Sequence, residues 1–442
     1  MYKKKRLILT EGNIFKQLML LIYPIVFTGF FQALKSIADS IVAGHYLGTI
    51  GLSVIGGSSG RLINLYVGFV AGIIGGSMVK IASAIGRNDE EKIKKIIANS
   101  IILGVIISFI FSFVYIVFSY QLLTISNVPK DTLKESMLYL IISTTSFIPY
   151  YIFTLLVSIL KATGENIRPN KYMIYSYLIN FILMFILVAV FHIGYIGIAL
   201  SFAIVQFVMM VYLIICVNKE FRLINYIKKY DWELLVELLK LGLPYGLQSI
   251  LFNFAIIVVQ VRINELGSFM VAANSINAQI ENIFWIIMTG IGFAITTFVA
   301  ANYSAGNIKR IRVGVLYAFK ISALITVFIS IFNVLFCRQL ASLFSSDITT
   351  INDTVKIIRF ISPLLILYIS IEIFNGVLRG LGKSLFSTVI TLFLLCIFRI
   401  VYLLFIKDPS IENILIIYPI SWFLASVAFA FNYLHLKQRE WK

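Results

Sequence analysis

Twelve apolar runs, each long enough to cross a lipid bilayer, recur about every 35 residues along this chain, and no other feature narrows its fold so far. They cover about 16–44, 52–81, 95–120, 133–160, 172–192, 194–216, 238–263, 269–300, 314–336, 354–378, 385–406 and 411–435. A hydrocarbon layer of roughly 30 Å takes about 20 apolar residues wound as α-helix. In lipid the backbone must satisfy its own hydrogen bonds, so helices or closed barrels are the available solutions. The alternation over about ten residues that barrel strands need is absent. An all-α polytopic membrane protein follows, and the 60% hydrophobic and 13% charged composition agrees.

The net charge of +17 raises nucleic acid as a partner, and its distribution argues against one. Basic residues fall in alternate loops: Lys3, Lys4, Lys5, Arg6 and Lys16; Arg87, Lys92, Lys94 and Lys95; Lys161, Arg168 and Lys171; Lys219, Arg222, Lys228 and Lys229; Lys309, Arg310 and Arg312; Arg379 and Lys383; Lys437, Arg439 and Lys442. The intervening loops hold few, chiefly Lys130, Lys134, Arg262, Arg338 and Lys407. This asymmetry is the positive-inside pattern, and it places both termini in the cytoplasm of a multi-pass protein. The first apolar run is too long for a signal peptide and has no small-residue cleavage site, so it reads as a retained span.

The chain also repeats itself. Thr10, Glu11, Gly12 and Asn13 give a capped entry into the first span, and TEGNIFKQLMLLIYPIVF aligns with YDWELLVELLKLGLPYGL, placing Pro244 on Pro24 at an offset of 220. Leu47-Gly48 aligns with Leu266-Gly267, Gly72 with Gly292, and Gly86 with Gly306. VSILKATGENIRP aligns with GVLRGLGKSLFST, with Gly164 on Gly382. The twelve helices therefore form two six-helix pseudo-symmetric bundles: an N-terminal lobe at 1–217, a cytoplasmic linker at 218–237 and a C-terminal lobe at 238–442. An even number of spans per half gives parallel repeats. Gly56, Gly57, Gly60, Gly68, Gly72, Gly75 and Gly76 crowd the second span, either as flexible points or as small residues for close helix packing.

Charges inside the spans are the candidate functional groups. The first span carries Lys35 and Asp39. An ionised side chain near the bilayer centre costs on the order of 2.5–3.5 kcal/mol, so such residues face a wet interior and usually serve function. Asp39 can carry a proton, or with neutral oxygens beside it hold Na⁺; paired permanently with Lys35 at i, i+4 it would instead be structural. Pro24, and Pro244 by the repeat, are candidate hinges, because proline interrupts the helical ladder. Glu372 is the acid in the core of its span and a second coupling candidate, with Arg379 two turns on. Asn274, Asn277 and Glu281 follow 3–4 spacing down one helix face and, with Gln32 and Lys35, are candidate cavity residues. Arg399 balances an acid or is structural, and Tyr23, Tyr175 and Trp285 are aromatics that could stack on a cation.

Enzyme chemistry finds little footing. Cys216, Cys337 and Cys396 match no metal or redox spacing, and His45, His192 and His435 lie far apart at span ends. GLGKS at 380–384 would need the first glycine of a phosphate-binding loop at Val377. No cofactor is expected, and with no nucleotide site an ion gradient is the natural energy source.

The run LIYPIVFTGFFQALKSIADSIVAGHYLG, the loop SAIGRNDEEKIKK, the paired LKATGENIRP and LRGLGKSLFS, and the second-half LGLPYG together resemble the multidrug and toxic compound extrusion (MATE) transporters. The resemblance runs from about 10 to 435. It implies export of organic cations and other amphipathic drugs in exchange for H⁺ or Na⁺, by alternating access between two six-helix lobes. The family's first-span acid falls on Asp39 and its fifth-span asparagine on Asn180, the pair that would hold the metal if coupling is to Na⁺. One branch commonly has aspartate four residues later, where this chain has Met184. A sixth-span hydroxyl falls near Phe202, with Ser201 beside it; another branch's acids fall near Phe252 or Asn253 and near Tyr368, with Glu372 one turn beyond. The expectation is a monomeric secondary active antiporter of the plasma (inner) membrane, in contact with lipid. The alternative is a lipid-linked oligosaccharide flippase of the same superfamily, which a basic cleft would favour.

Overall fold

Asparagine and aspartate start the long helices. Asn13 Oδ1 accepts from the Lys16 N–H at 3.0 Å, Asp89 Oδ1 from Lys92 at 3.0 Å and Asp231 Oδ1 from Leu234 at 3.1 Å. Each satisfies an amide that the first helical turn leaves without a partner. The computed structural model describes residues 9–86, 89–162, 167–221, 231–406 and 410–440, and the regular structure among them is entirely helical. The basic cluster at 3–6, Arg87, Gly164, the middle of the linker with Lys228 and Lys229, and Lys407 lie outside the described residues.

The helices are α1 (Ile14–Gly56), α2 (Ser58–Gly86), α3 (Glu90–Val117), α4 (Ser119–Ile125), α5 (Leu133–Thr144), α6 (Phe147–Ala162), α7 (Ile167–Phe185), α8 (Tyr195–Phe221) and α9 (Trp232–Asn264). They continue as α10 (Ser268–Ser304), α11 (Ile308–Leu335), α12 (Cys337–Ser342), α13 (Ile348–Ile361), α14 (Ile369–Gly380), α15 (Ser384–Thr391), α16 (Phe398–Phe405), α17 (Ile411–Leu415) and α18 (Ile417–Glu440). A 3₁₀ segment, Ser362–Tyr368, joins α13 to α14, and π-helical turns follow α7 and α15. Eleven of the described spans are long and apolar enough to cross a membrane, and twelve when α5 and α6 count as one span bent by 49°. The bend has a local cause. Thr144, Thr145 and Ser146 hydroxyls donate to the carbonyls of Ile141, Ile142 and Ser143, each at 2.7 Å, competing with the helical ladder before Pro149.

The internal repeat reappears as backbone geometry. Gly48 and Gly267, matched in the sequence, both take positive φ, 65° and 91°, where a Cβ is strained. Phe118 (φ −107°, ψ 15°) and Phe336 (φ −105°, ψ 17°) end the third helix of each repeat in the same conformation. Pro24 and Pro244 sit inside continuous helix; the non-helical residue within α1 is Gly48.

The chain divides into two compact units. Unit 1 holds Met1–Leu34, Asn277–Leu343 and Ile351–Lys442; unit 2 holds Lys35–Ile276 and Phe344–Thr350. These units follow packing rather than the repeat, because the first helix of each repeat pairs with the second helix of the other. In unit 2, α9 lies along α2 at glycine contacts: Gly72 and Gly76 meet the backbone at Gly246 and Gly242, and a Cβ on Gly242 would stand 2.8 Å from Ile73 Cα. Glycines four apart on both helices allow this approach, so close packing is the use of Gly72 and Gly76, while Gly75 faces open space. In unit 1 the start of α1 lies along α10 in the corresponding way, with Gly290 beside Val26 and Gly29 beside Ile286. The segment before α1 is clasped there by Arg310, which donates to the carbonyls of Gly12 at 3.0 Å and Leu9 at 3.4 Å and to Gln17 Oε1 at 2.9 Å.

The core of unit 2 centres on Tyr66, stacked on Phe147 at 3.8 Å, with its hydroxyl donating to the Phe147 carbonyl at 2.7 Å. Tyr115 and Tyr151 are buried in the same core and donate to the carbonyls of Leu62 and Ser100. A buried phenol keeps its ring in the core only when its hydroxyl finds an acceptor.

Candidate functional site

Each unit contains an acid inside a span held by a base on its own helix. In unit 2, α1 presents Lys35 and Asp39 one turn apart, with Lys35 Nζ 2.5 Å from Asp39 Oδ2. Asp39 is buried, and its other oxygen, Oδ1, has no hydrogen-bond partner. Lys35 also stands over the Phe202 ring at 4.8 Å, so the ring near which the family's sixth-span hydroxyl was placed faces the lysine instead. The i, i+4 pair is formed in this structure. What remains is one carboxylate oxygen with no hydrogen-bond partner among the described residues.

Helices α7 and α8 supply a neutral polar ladder. Asn180 Nδ2 donates to Ser201 Oγ at 3.4 Å, and one turn back Gln206 Nε2 donates to Ser176 Oγ at 3.4 Å. Gln206 and Ser176 were not singled out in the sequence, although serine and asparagine four apart on one apolar span signal a polar face. Asn180 and Asp39 are both buried, but no hydrogen bond joins them among the described residues. Met184 is fully buried against Val42, Ala43, Val188 and Ile198. At the position where one family branch carries aspartate, this chain has an apolar plug.

Unit 1 assembles a larger group. Tyr368, the last residue of the 3₁₀ segment, donates its hydroxyl to Glu372 Oε2 at 3.1 Å, and Arg379 on the same helix reaches back to Oε1 at 3.2 Å. Gly292 on α10 lies against that carboxylate, and a Cβ there would strike it. Asn277 Nδ2 donates to Glu281 Oε1 at 3.0 Å, and Asn277 Oδ1 is buried without a partner. Trp285 lies one turn beyond Glu281 on the same helix face. Trp285 packs edge-on against Tyr368 at 4.7 Å, and both approach Trp422, at 6.1 and 6.0 Å. The two acids are thus linked through an aromatic cluster, which the sequence had flagged only at Trp285. Arg399 donates to Ser421 Oγ at 2.9 Å and lies over the Tyr418 ring at 4.5 Å. No ion pair joins it to an acid among the described residues.

The remaining expected residues are scattered. Asn274 is buried and belongs to unit 2, whereas Asn277 and Glu281 on the same helix belong to unit 1. Gln32, Pro24 and Tyr23 are exposed on the unit 1 part of α1, and Pro244 is exposed on α9. Cys216, Cys337 and Cys396 are free, the last two buried.

A repeated array of membrane-spanning helices with acids buried in its interior defines a polytopic membrane protein of transporter type. The MatE family model matches twice, over residues 24–186 and 244–404, starting at the two aligned prolines. The chain belongs to the MatE family. It is 23% identical over 398 residues to the probable multidrug resistance protein YoeA of Bacillus subtilis (strain 168), covering 87% of this chain and 85% of that one. It is 24% identical to the multidrug export protein MepA of Staphylococcus aureus (strain NCTC 8325 / PS 47), covering 72% and 71%. Among solved structures it resembles an inward-facing conformation of a multidrug resistance MATE family transporter of the MOP superfamily. That match has a TM-score of 0.83 at 20% identity, over 92% of this chain and 96% of that one.

Proposed function

We propose that this protein is a secondary active multidrug efflux transporter that exports cationic, amphipathic compounds in antiport with H⁺ or Na⁺, by alternating access of an N-terminal (1–217) and a C-terminal (238–442) lobe. The observation that carries the reading is a pair of carboxylates inside the spans, the buried Asp39 and the largely covered Glu372, each held by a cationic side chain of its own helix. A base that an arriving cation can replace makes occupancy by ion and by drug mutually exclusive, which is the logic of exchange. The names of the relatives, a multidrug resistance protein and a multidrug export protein, support the substrate class. In this reading Asp39, Asn180 and Glu372 couple the ion, and Lys35, Gln32, Asn274, Asn277 and Glu281 line the drug's path. Pro24 and Pro244 are the hinges, the protein works as a monomer in the plasma (inner) membrane, and both termini are cytoplasmic. The flippase alternative draws no support from the side chains: Lys35 and Arg379 are engaged with acids and Arg399 with Ser421, leaving no basic cleft among them for a pyrophosphate.

The test is ethidium efflux from everted vesicles with pH and Na⁺ gradients imposed separately. Efflux that follows one gradient supports antiport. Efflux indifferent to both overturns it.

A further inference from the structure

The second half of α11 is built inside out. Its buried residues begin apolar, with Ile311, Gly314, Val315 and Ala318, and end wholly polar, with Ser322, Thr326, Ser330 and Asn333. Over the same turns Leu324, Phe328, Ile331 and Leu335 are exposed. Lipid explains the apolar outer face. Serine and threonine are also small enough to pack at helix contacts, so what sets this inner face apart is where its polar atoms find partners.

Back-bonding to the preceding turn is the ordinary way for a serine or threonine in a span to satisfy its hydroxyl, and this molecule uses it elsewhere. Thr296 donates to the Gly292 carbonyl at 2.7 Å and Ser304 to Ala300 at 2.9 Å. On α11 the option is declined. Ser322 Oγ, Thr326 Oγ1 and Asn333 Nδ2 are buried with no hydrogen-bond partner among the described residues. The facing wall is the 3₁₀ segment Ser362–Tyr368, tied to α11 by Ser330 Oγ donating to the Ser362 carbonyl at 2.6 Å, and Ser362 Oγ is again buried and unpartnered. Four unsatisfied polar atoms on two facing elements are a requirement for something small and polar between them. At its far end the 3₁₀ segment terminates in Tyr368, whose hydroxyl bonds Glu372.

We propose that the seam between α11 and Ser362–Tyr368 is hydrated: a file of water molecules bonded to Ser322, Thr326, Asn333 and Ser362 runs from the α11 end near Asn333 toward the Glu372 carboxyl and delivers protons to it. Hydroxyl groups both donate and accept, so they can support such a file, and the absence of any acid among the four suits water rather than a divalent ion. The purpose of the file rests on the coupling role proposed for Glu372; its water content does not.

The test uses full-length protein in lipid nanodiscs, with Cys216, Cys337 and Cys396 replaced by alanine in a background that retains ethidium efflux. Single cysteines at Ser322, Thr326 and, from the opposite wall, Ser362 are compared with one at the lipid-facing Leu324. A cationic methanethiosulfonate reacts with the thiolate, which forms only where water reaches. At least tenfold faster modification at any two of the three seam positions than at Leu324→Cys is the expected result, with the third position covering a variant that fails to fold. Rates no faster than Leu324→Cys overturn the proposal and make the seam dry packing. Adding Glu372→Gln separates the two readings: rapid labelling with efflux lost upholds both, and rapid labelling with efflux intact upholds the water file while overturning the coupling role.

Discussion

Removing Arg379 while leaving Glu372 tests whether the unit 1 acid is an ion that depends on its partner. Glu372 keeps 13% of its side chain exposed and has two hydrogen-bond partners among the described residues, Tyr368 and Arg379; Arg379 keeps 34%. Breaking a buried pair from one side costs about 3–5 kcal/mol, because the remaining charge is left uncompensated. Arg379 is a third exposed, so solvent already screens part of the attraction and the low end, about 3 kcal/mol, applies to Arg379→Met. Glu372→Gln leaves an arginine that water can solvate and an amide oxygen for the Tyr368 hydroxyl, for about 1 kcal/mol. With both changes no unpaired charge remains, and the loss should again be about 1 kcal/mol. The double-mutant cycle then yields a coupling of roughly 3 kcal/mol. At about 2 °C per kcal/mol, Arg379→Met should lower the melting temperature by roughly 6 °C, and Glu372→Gln added to it should restore about 4 °C. A thiol-reactive dye that reports exposure of the buried Cys337 and Cys396, both in unit 1, follows the transition in detergent. If Arg379→Met and the double variant melt within a degree of each other, Glu372 carries no charge that needs Arg379, and the exchange logic fails in this unit.

Other outcomes follow from the same geometry. Asp39→Asn should abolish gradient-driven ethidium efflux while Lys35→Ala retains part of it; equal efflux in the two variants counts against Asp39 as the coupling acid. Gly72→Leu should drive α2 off the α9 backbone and cost about 3 kcal/mol or more, whereas Gly75→Leu, with nothing within 4 Å, should leave the melting temperature within a degree. Met184→Asp should lower the yield of folded protein rather than add a coupling site, because the cluster of Val42, Ala43, Val188 and Ile198 offers a carboxylate no partner. Detergent-solubilised yield by size-exclusion chromatography reads that result directly.

Much of the architecture was legible in the residues. The spacing of apolar runs gave the spans, since each must satisfy its own backbone in lipid. The aligned Leu47-Gly48 and Leu266-Gly267 anticipated two turns at positive φ, a conformation in which glycine alone is unstrained. Asp39, Glu281 and Glu372 were legible for the same reason: charge in an apolar run is expensive, so its presence carries information. Partners were harder. Arg379 was placed two turns from Glu372 but not assigned to it, and the contact depends on a long flexible side chain folding back along its helix. Tyr368 came up only as a position where an acid was missing, yet it supplies the hydroxyl that Glu372 accepts from.

By itself the sequence determined what lipid imposes on a chain one segment at a time: roughly where the spans lie, and which charges stand among them. The tertiary structure decided what depends on contact across segments. It set Gly72 and Gly76 against α9, sealed Met184 among apolar side chains, and turned the polar side of α11 inward toward Ser362. The physical reason is that hydropathy is a property of each residue, whereas a hydrogen bond left unmade in a protein interior is a property of the whole surrounding packing.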